Sequence, residues 1–320
     1  MVSAGSTSLL VDAGLSCREI LKRMLAAGED PAALSAILIT HEHLDHVAGL
    51  SVLARKLKIP VFFTEATHRA WVRMLTPQKR ITYKAWLEKM QREREAMEAG
   101  ADLAEEAVAA GEKASRGGLD EEELVPAGEV AHRARRDCDG EEEARAKVSP
   151  TALPALEYFE AGRKFRIGCI EVEPFTIPHD AADPCGFVFH AVTESIRMVV
   201  ATDLGYVPPN VKLALKNADV LLLESNHDLE MLKVGPYPWS VKQRVLSRVG
   251  HLSNDATAEF LMRDYDGGAH TIVLGHLSEQ NNLPELARLA AEQAIGDRMT
   301  LLGNRVLLAR QDVPLEAISL

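Results

Sequence analysis

In ILITHEHLDHVAGL, residues 37–50, an apolar run ends in His41, His43, Asp45 and His46 within six positions. Imidazole and carboxylate at that density suit Zn, Mn or Fe, and the carboxylate adds charge and can orient water. The apolar run reads as a strand, and extended residues two apart share a face, so His41 and His43 point together. Asp45 and His46 follow as the chain turns, towards a second point nearby. A cluster of four cannot close two metal sites, so the remaining donors are expected at later strand ends. His179 ends VEPFTIPHDA, Asp203 ends RMVVATDLG and His276 ends TIVLGHLS. Each follows an apolar run and precedes a turn, where a core strand delivers a polar side chain to a common rim.

His251 competes with His276 for the last ligand position. GHLSND precedes an apolar-periodic helix with Ser253 or Asn254 placed as its cap. A phosphate could sit at that helix start, but capping alone explains the stretch. His276 is favoured because it follows an evident strand. Beside the proposed site, KVGPYPWSVKQRVLSR combines Tyr237 and Trp239 with Lys233, Lys242, Arg244 and Arg248. Cations there could neutralise phosphates and aromatics could stack on an end base. An ordinary solvated helix after a Pro-rich loop reads equally well.

These side chains need a scaffold, and 320 residues with 47% hydrophobic content are enough to build one. TSLLVDA, SAILITHEH and VFFTE read as strands, and CREILKRMLAAG and VAGLSVLARKLKIP as helices. Further strands are expected in EYFEAGRKFRIGCIEVEPFTIPHDA, CGFVFHAV, RMVVATDLG, DVLLLESNHD, TIVLGHLS, MTLLG and VLLARQ. PNVKLALKNA, VKQRVLSRVG, NDATAEFLMRDY and PELARLAAEQAI read as helices between them. Strands followed by helices in both halves predict an α/β protein with two packed sheets and helices outside. Between them, residues 76–154 are rich in Glu, Arg and Ala and read as a charged surface insertion without chemistry.

The net charge of −11 is mostly local. Residues 88–147 hold 18 acidic against 10 basic side chains, which leaves 29 and 26 elsewhere, a balance of only −3. Acidity therefore does not exclude a nucleic-acid partner near the motifs. Four cysteines without a CxxC pair predict reduced thiols in a cytoplasm. The first residues lack a signal-peptide pattern, and no run of 18 apolar residues predicts a membrane span.

HxHxDH followed by a distant His, Asp and His in this order resembles the metallo-β-lactamase superfamily. IPHDAADPCGFVF, ATDLGY, the long stretch from LLLESNHD to NDATAEFL, and LGHLSEQNNLPELA resemble its YycJ (WalJ) group, which is similar to RNase Z. The resemblance covers about residues 5–75 and 155–310. It implies an αββα sandwich, a single domain in two parts (1–75 and 155–320) around the insertion at 76–154. It also implies two divalent ions, Zn or Mn: one on His41, His43 and His179, the other on Asp45, His46 and His276, with Asp203 bridging. Asp12 in LLVDAG would support the metal loop without being a ligand. The implied activity is 5′-to-3′ hydrolysis of double-stranded DNA by a metal-bridging hydroxide that Asp45 orients. His227 in ESNHD would protonate the leaving oxygen; packing of the rim is its other reading. An opening strand and a Gly-Ser-rich turn are implied ahead of AGSTSLLVDAG, almost at the first residue of this sequence. A small-molecule thioester or lactone hydrolase of the same fold is the alternative enzyme, and a regulatory metal-binding protein the alternative outside catalysis.

Overall fold

Runs such as LSAIL and VLLLE do not alternate apolar with polar residues, which marks strands covered on both faces. In the computed structural model, which describes residues 1–76, 149–296 and 305–320 with positions 87 and 90–92, those runs lie inside two mixed sheets. The first has the order β1 (Val2–Ala4), β2 (Thr7–Val11), β3 (Leu34–Leu38), β4 (Val61–Phe63) and β5 (Leu156–Tyr158). β1 is antiparallel to β2 and the other pairs are parallel. The second sheet runs in sequence order through β6 (Phe165–Ile167), β7 (Ile170–Thr176), β8 (Cys185–Ala191), β9 (Ile196–Ala201), β10 (Val220–Glu224), β11 (Thr271–Gly275) and β12 (Arg305–Leu308). Pairing is antiparallel from β6 to β9 and parallel from β9 to β12.

The layering follows from where successive residues point. Ala36 and Leu38 of β3 meet Phe187 and Phe189 of β8 and Val200 of β9, so the two sheets share a core. Ile37 and Ile39 face the other way, onto α1 (Cys17–Ala26), α3 (Leu50–Leu57) and α4 (Glu65–Leu75), with the short α2 (Leu44–Val47) before α3. On the far side of the second sheet, Val199, Leu221 and Leu223 pack with Val211 of α5 (Pro209–Ala214), Phe260 of α8 (Asn254–Arg263) and Ala287 of α9 (Pro284–Ile295). Helix, sheet, sheet, helix is the expected αββα order. Two short helices, α6 (Leu229–Val234) and α7 (Trp239–Val245), lie on the loop after β10.

β1 is an edge strand at the place where the resemblance implied an opening strand. The helices α2, α4 and α6 were not read from the sequence; α6 is six residues long and capped by Asp228, whose carboxylate accepts from Met231 N at 2.8 Å. The strand expected at MTLLG and nearly all of the expected insertion lie outside the described residues. The described chain forms a compact unit from Met1–Thr76 and Val148–Leu320, while Pro77–Lys147 is a separate unit.

For the site, the useful consequence is direction. β9, β10 and β11 are parallel, and β7, two antiparallel steps from β9, runs the same way. Their carboxyl ends therefore share one edge, where open α/β sheets bind ligands.

Candidate metal centre

The HxHxDH loop leaves β3 and is fixed from behind by Asp12. Asp12 follows β2 with φ 59°, a left-handed conformation that Asp tolerates better than most residues. Its carboxylate accepts from Thr40 N, Thr40 Oγ1 and His46 Nδ1, each at 2.8 Å. The backbone is tied by Ala13 N to His46 O at 2.7 Å. Gly14 is required here, since a β-carbon would fall 1.5 Å from the Asp45 carbonyl oxygen.

These bonds also set the tautomers. The Thr40 hydroxyl gives its one hydrogen to Asp12, so at 3.0 Å it accepts from His41 Nδ1 and leaves Nε2 with its lone pair. His46 donates Nδ1–H to Asp12, His179 donates Nδ1–H to Gly250 O at 3.3 Å, and His276 donates Nδ1–H to Glu224 Oε1 at 2.8 Å. In each case Nε2 is the nitrogen that faces the cluster, which is how metal-binding imidazoles are oriented.

The freed nitrogens converge in groups. His41 Nε2 and His179 Nε2 lie 3.0 and 3.2 Å from His43 Nδ1. Nitrogen lone pairs aimed at one another repel unless a cation or a proton stands between them. A second group joins His46 Nε2 to Asp45 Oδ2 at 3.6 Å and His276 Nε2 to the same oxygen at 4.0 Å. Asp203 Oδ1 reaches both groups, 3.7 Å from His46 Nε2 and 3.8 Å from His179 Nε2. Its other oxygen is buried without a partner among the described residues. The structure thus brings together all seven residues expected as ligands, and their donor chemistry fits divalent ions.

The field is uneven. Burial, then the His46 charge, pushes His41 down to about 2, so it is neutral. Burial also lowers His179. At His46 burial opposes protonation, but the carboxylates of Asp12, Asp203 and Asp45, led by Asp12, together outweigh it and raise the group to about 9. At His276 burial is likewise outweighed, by Asp203 and then Glu224, which raise it to about 10. Burial disfavours charge on Asp203, yet the imidazoles around it, led by His276, hold its carboxyl well below the usual range.

Glu224, at the end of β10, is fully buried and was not expected in the site. Its Oε1 accepts from His251 and His276 at 2.8 Å, and its Oε2 accepts from Leu204 N at 2.6 Å and Leu252 N at 3.3 Å. The available signal was its position, a carboxylate closing the apolar run VLLLE on a strand parallel to its neighbours.

A cleft of about 580 Å³ opens over these groups, lined among others by Asp45, Asp203, His251, His276, Tyr237 and Arg244. His227 is not among its lining residues: it is 1% exposed, burial lowers it to about 4, and its carbonyl accepts from Asn254 N at 2.8 Å. His227 therefore fastens the loop to the start of α8, and His251 occupies the cleft in its place. The cap of α8 is Ser253, whose Oγ accepts from Ala256 N at 3.1 Å. Lys242 does not face the cleft either; its buried ammonium donates to Lys233 O at 2.7 Å, closing the end of α6. Trp239 is 66% exposed and lies outside the lining residues. Arg244 does line the cleft, paired through Nε with Asp180 Oδ2.

Comparison with known proteins agrees with this arrangement. Residues 1–97 match the metallo-β-lactamase superfamily and residues 125–276 match the β-lactamase superfamily domain. The exodeoxyribonuclease YycJ of Bacillus anthracis is 31% identical over 297 residues, spanning 93% of this chain and 84% of its own. The exodeoxyribonuclease WalJ of Streptococcus pneumoniae is 33% identical over 281 residues, 88% of this chain and 77% of its own. Among solved structures, Zn-bound PqqB from Methylobacterium extorquens superposes with a TM-score of 0.54 over 99% of this chain and 85% of its own. At 16% identity that is a likeness of fold alone. Similarity to YycJ and WalJ that runs nearly from end to end, on a fold that carries the donor set at its strand ends, places the chain in the metallo-β-lactamase superfamily of metal-dependent hydrolases, in the family of YycJ and WalJ.

Proposed function

We propose that the chain is a two-metal phosphodiesterase that degrades double-stranded DNA from its 5′ ends. The observation that carries this reading is the sharing of Asp203 between two donor groups on the floor of an open, polar cleft. The names of the relatives, both exodeoxyribonucleases, supply the substrate class. His41, His43 and His179 would hold one ion and Asp45, His46 and His276 the other, with Asp203 between them. Two divalent ions about 3.5–4 Å apart lower the pKa of a water towards neutrality and neutralise charge on a phosphoryl group.

The protein's own groups do the rest. Asp45 has a 68% exposed side chain and keeps only Oδ2 near the imidazoles, so Oδ1 is free to orient an attacking water. His251 donates Nδ1–H to Glu224 and carries no partner on Nε2 among the described residues. That edge can deliver a proton to the leaving 3′-oxygen, the role that the sequence resemblance had assigned to His227. Leu277 and Val241 supply apolar lining in the same cleft.

The test is digestion of a 5′-phosphorylated, internally labelled duplex by Mn-loaded protein beside Asp45→Ala. Stepwise loss from the 5′ end by the wild type is expected. Asp45→Ala should be slower by a factor of about 10² to 10³, an effect of the size seen when one stabilising group is removed from a catalytic site. Turnover by the variant at the wild-type rate removes this mechanism. Failure of the wild type on the duplex, with hydrolysis of a thioester or lactone instead, gives the fold its small-molecule reading.

A further inference from the structure

Arg244 is the one Lys or Arg among the described residues that line the cleft. The neighbouring cations are committed elsewhere: Lys242 is buried on the Lys233 carbonyl, and the Arg248 guanidinium stacks 4.3 Å from the centre of the Tyr206 ring. Arg244 stands on α7 with its side chain 61% exposed. It is held through Nε alone, by Asp180 Oδ2, so its two Nη nitrogens have no partner among the described residues. Asp180 is itself anchored, with its N–H donating to Val249 O at 3.2 Å. Its Oδ1 lies 3.5 Å from His179 Nε2 and is buried without a hydrogen bond.

The chain of contacts is therefore donor imidazole, Asp180, guanidinium. Arg244 stands one side chain removed from the donor cluster, where a phosphate adjacent to the scissile one would lie. A planar guanidinium fixed at Nε presents its two terminal nitrogens as a fork that matches two phosphate oxygens. A terminal monoester carries a charge of about −1.5 to −2 at pH 7, against one for an internal diester, and offers three oxygens instead of two. The higher charge and the third oxygen both favour the monoester at such a fork.

Resting on the nuclease reading above, we propose that Arg244, oriented by Asp180, recognises the terminal 5′-phosphate of the DNA and so restricts attack to an end. Arg244 is thus a specificity-determining residue, and Asp180 is its positioning residue.

The experiment compares two duplexes that differ only in carrying a 5′-phosphate or a 5′-hydroxyl, digested by Mn-loaded wild type, Arg244→Ala and Arg244→Lys. Charge-assisted bonds of this kind set the expected wild-type preference in kcat/KM for the phosphorylated end at about 10- to 100-fold. Arg244→Ala should bring the ratio to within about twofold of unity, and Arg244→Lys, which keeps the charge but loses the fork, should fall between. Metal content and Tm of both variants are measured alongside, because a merely structural role would move those and leave the ratio in place. Equal rates on both ends by the wild type, or an unchanged ratio in Arg244→Ala, overturn the phosphate anchor while leaving the nuclease standing. Digestion of neither duplex by the wild type overturns the nuclease reading and the anchor with it.

Discussion

At the scale of single residues, Glu224 is a buried carboxylate that orients two imidazoles of the site. It is 0% exposed and charged, with burial opposing that charge and the bonds from His251 and His276 sustaining it. Its two oxygens hold His251 and His276 in one tautomer and pin the turns at Leu204 and Leu252. Glu224→Gln would put an amide N–H₂ against one of these donors. Removing one partner of a buried, charged pair costs about 3–5 kcal/mol, so the variant should melt several degrees lower. Second-sphere losses of this kind weaken metal binding about 10- to 100-fold. Calorimetry and a metal-competition titration read the two effects separately, and wild-type metal affinity in the folded variant would contradict the orienting role. The seven expected donors, which the structure brings together, were legible as a set because such groups are rare, spaced by the strand period and placed at the ends of apolar runs. The parts played by Glu224 and Lys242, and the burial of His227 away from the cleft, were not legible. Each depends on which group from another part of the chain lies opposite in the fold: the bond from His251 to Glu224 spans 27 positions and that from His276 spans 52.

The elements explain why the donors can converge at all. Asp12, Asp203 and His276 have φ of 59°, 63° and 55°, so the chain turns left-handed where β2, β9 and β11 end. Non-glycine residues in that region cost of order 1–3 kcal/mol each and persist where the surrounding structure fixes them. Here the fixing is local: Asp12 by its bonds to Thr40 and His46, Asp203 by the buried imidazoles around it, and His276 by Asn226 Nδ2, which donates to its carbonyl at 2.8 Å. The strands themselves were readable from their unalternated apolar runs, whereas these turns have no comparable sequence signature. Gly14 is the tightest of the close approaches in this region. In Gly14→Ala the new methyl would lie 1.5 Å from the Asp45 carbonyl and drive the HxHxDH loop off Asp12. Overpacking of that kind costs on the order of 3 kcal/mol. Loss of bound metal with the far-ultraviolet circular dichroism retained is the expected outcome. A variant that binds metal as the wild type does would mean that the loop has slack which the backbone bonds from Ala13 to His46 and from Gly49 to Ala13 do not suggest.

For the whole molecule, the charge distribution and the sheet pairing together make a claim about the stretch that separates the two halves. Every residue of the candidate metal centre lies in Met1–Thr76 or Val148–Leu320. The chain that follows the stretch is tied to the first sheet by its own bonds. β5 pairs with β4, Val61 N donates to Ala155 O at 3.1 Å, Phe159 N donates to Phe63 O at 2.9 Å, and Arg55 Nη1 donates to Ala152 O at 2.9 Å. The sheet can therefore close without residues 88–147, provided the ends are joined with enough reach. A Gly/Ser linker of about fifteen residues has a mean span of roughly 20 Å. Residues 88–147 also carry a net −8 of the total −11, and a duplex is a dense polyanion. Replacing them with that linker should leave metal content and Tm as in the full chain. It should leave kcat unchanged and keep KM for DNA at low salt no higher than before, since the charge removed repels the substrate. The check is a salt series of digestion rates on both proteins. A linker variant that keeps its metal and its Tm but loses kcat would give the charged stretch a direct part in handling DNA, and the division into a catalytic sandwich and a passive insertion would have to be abandoned.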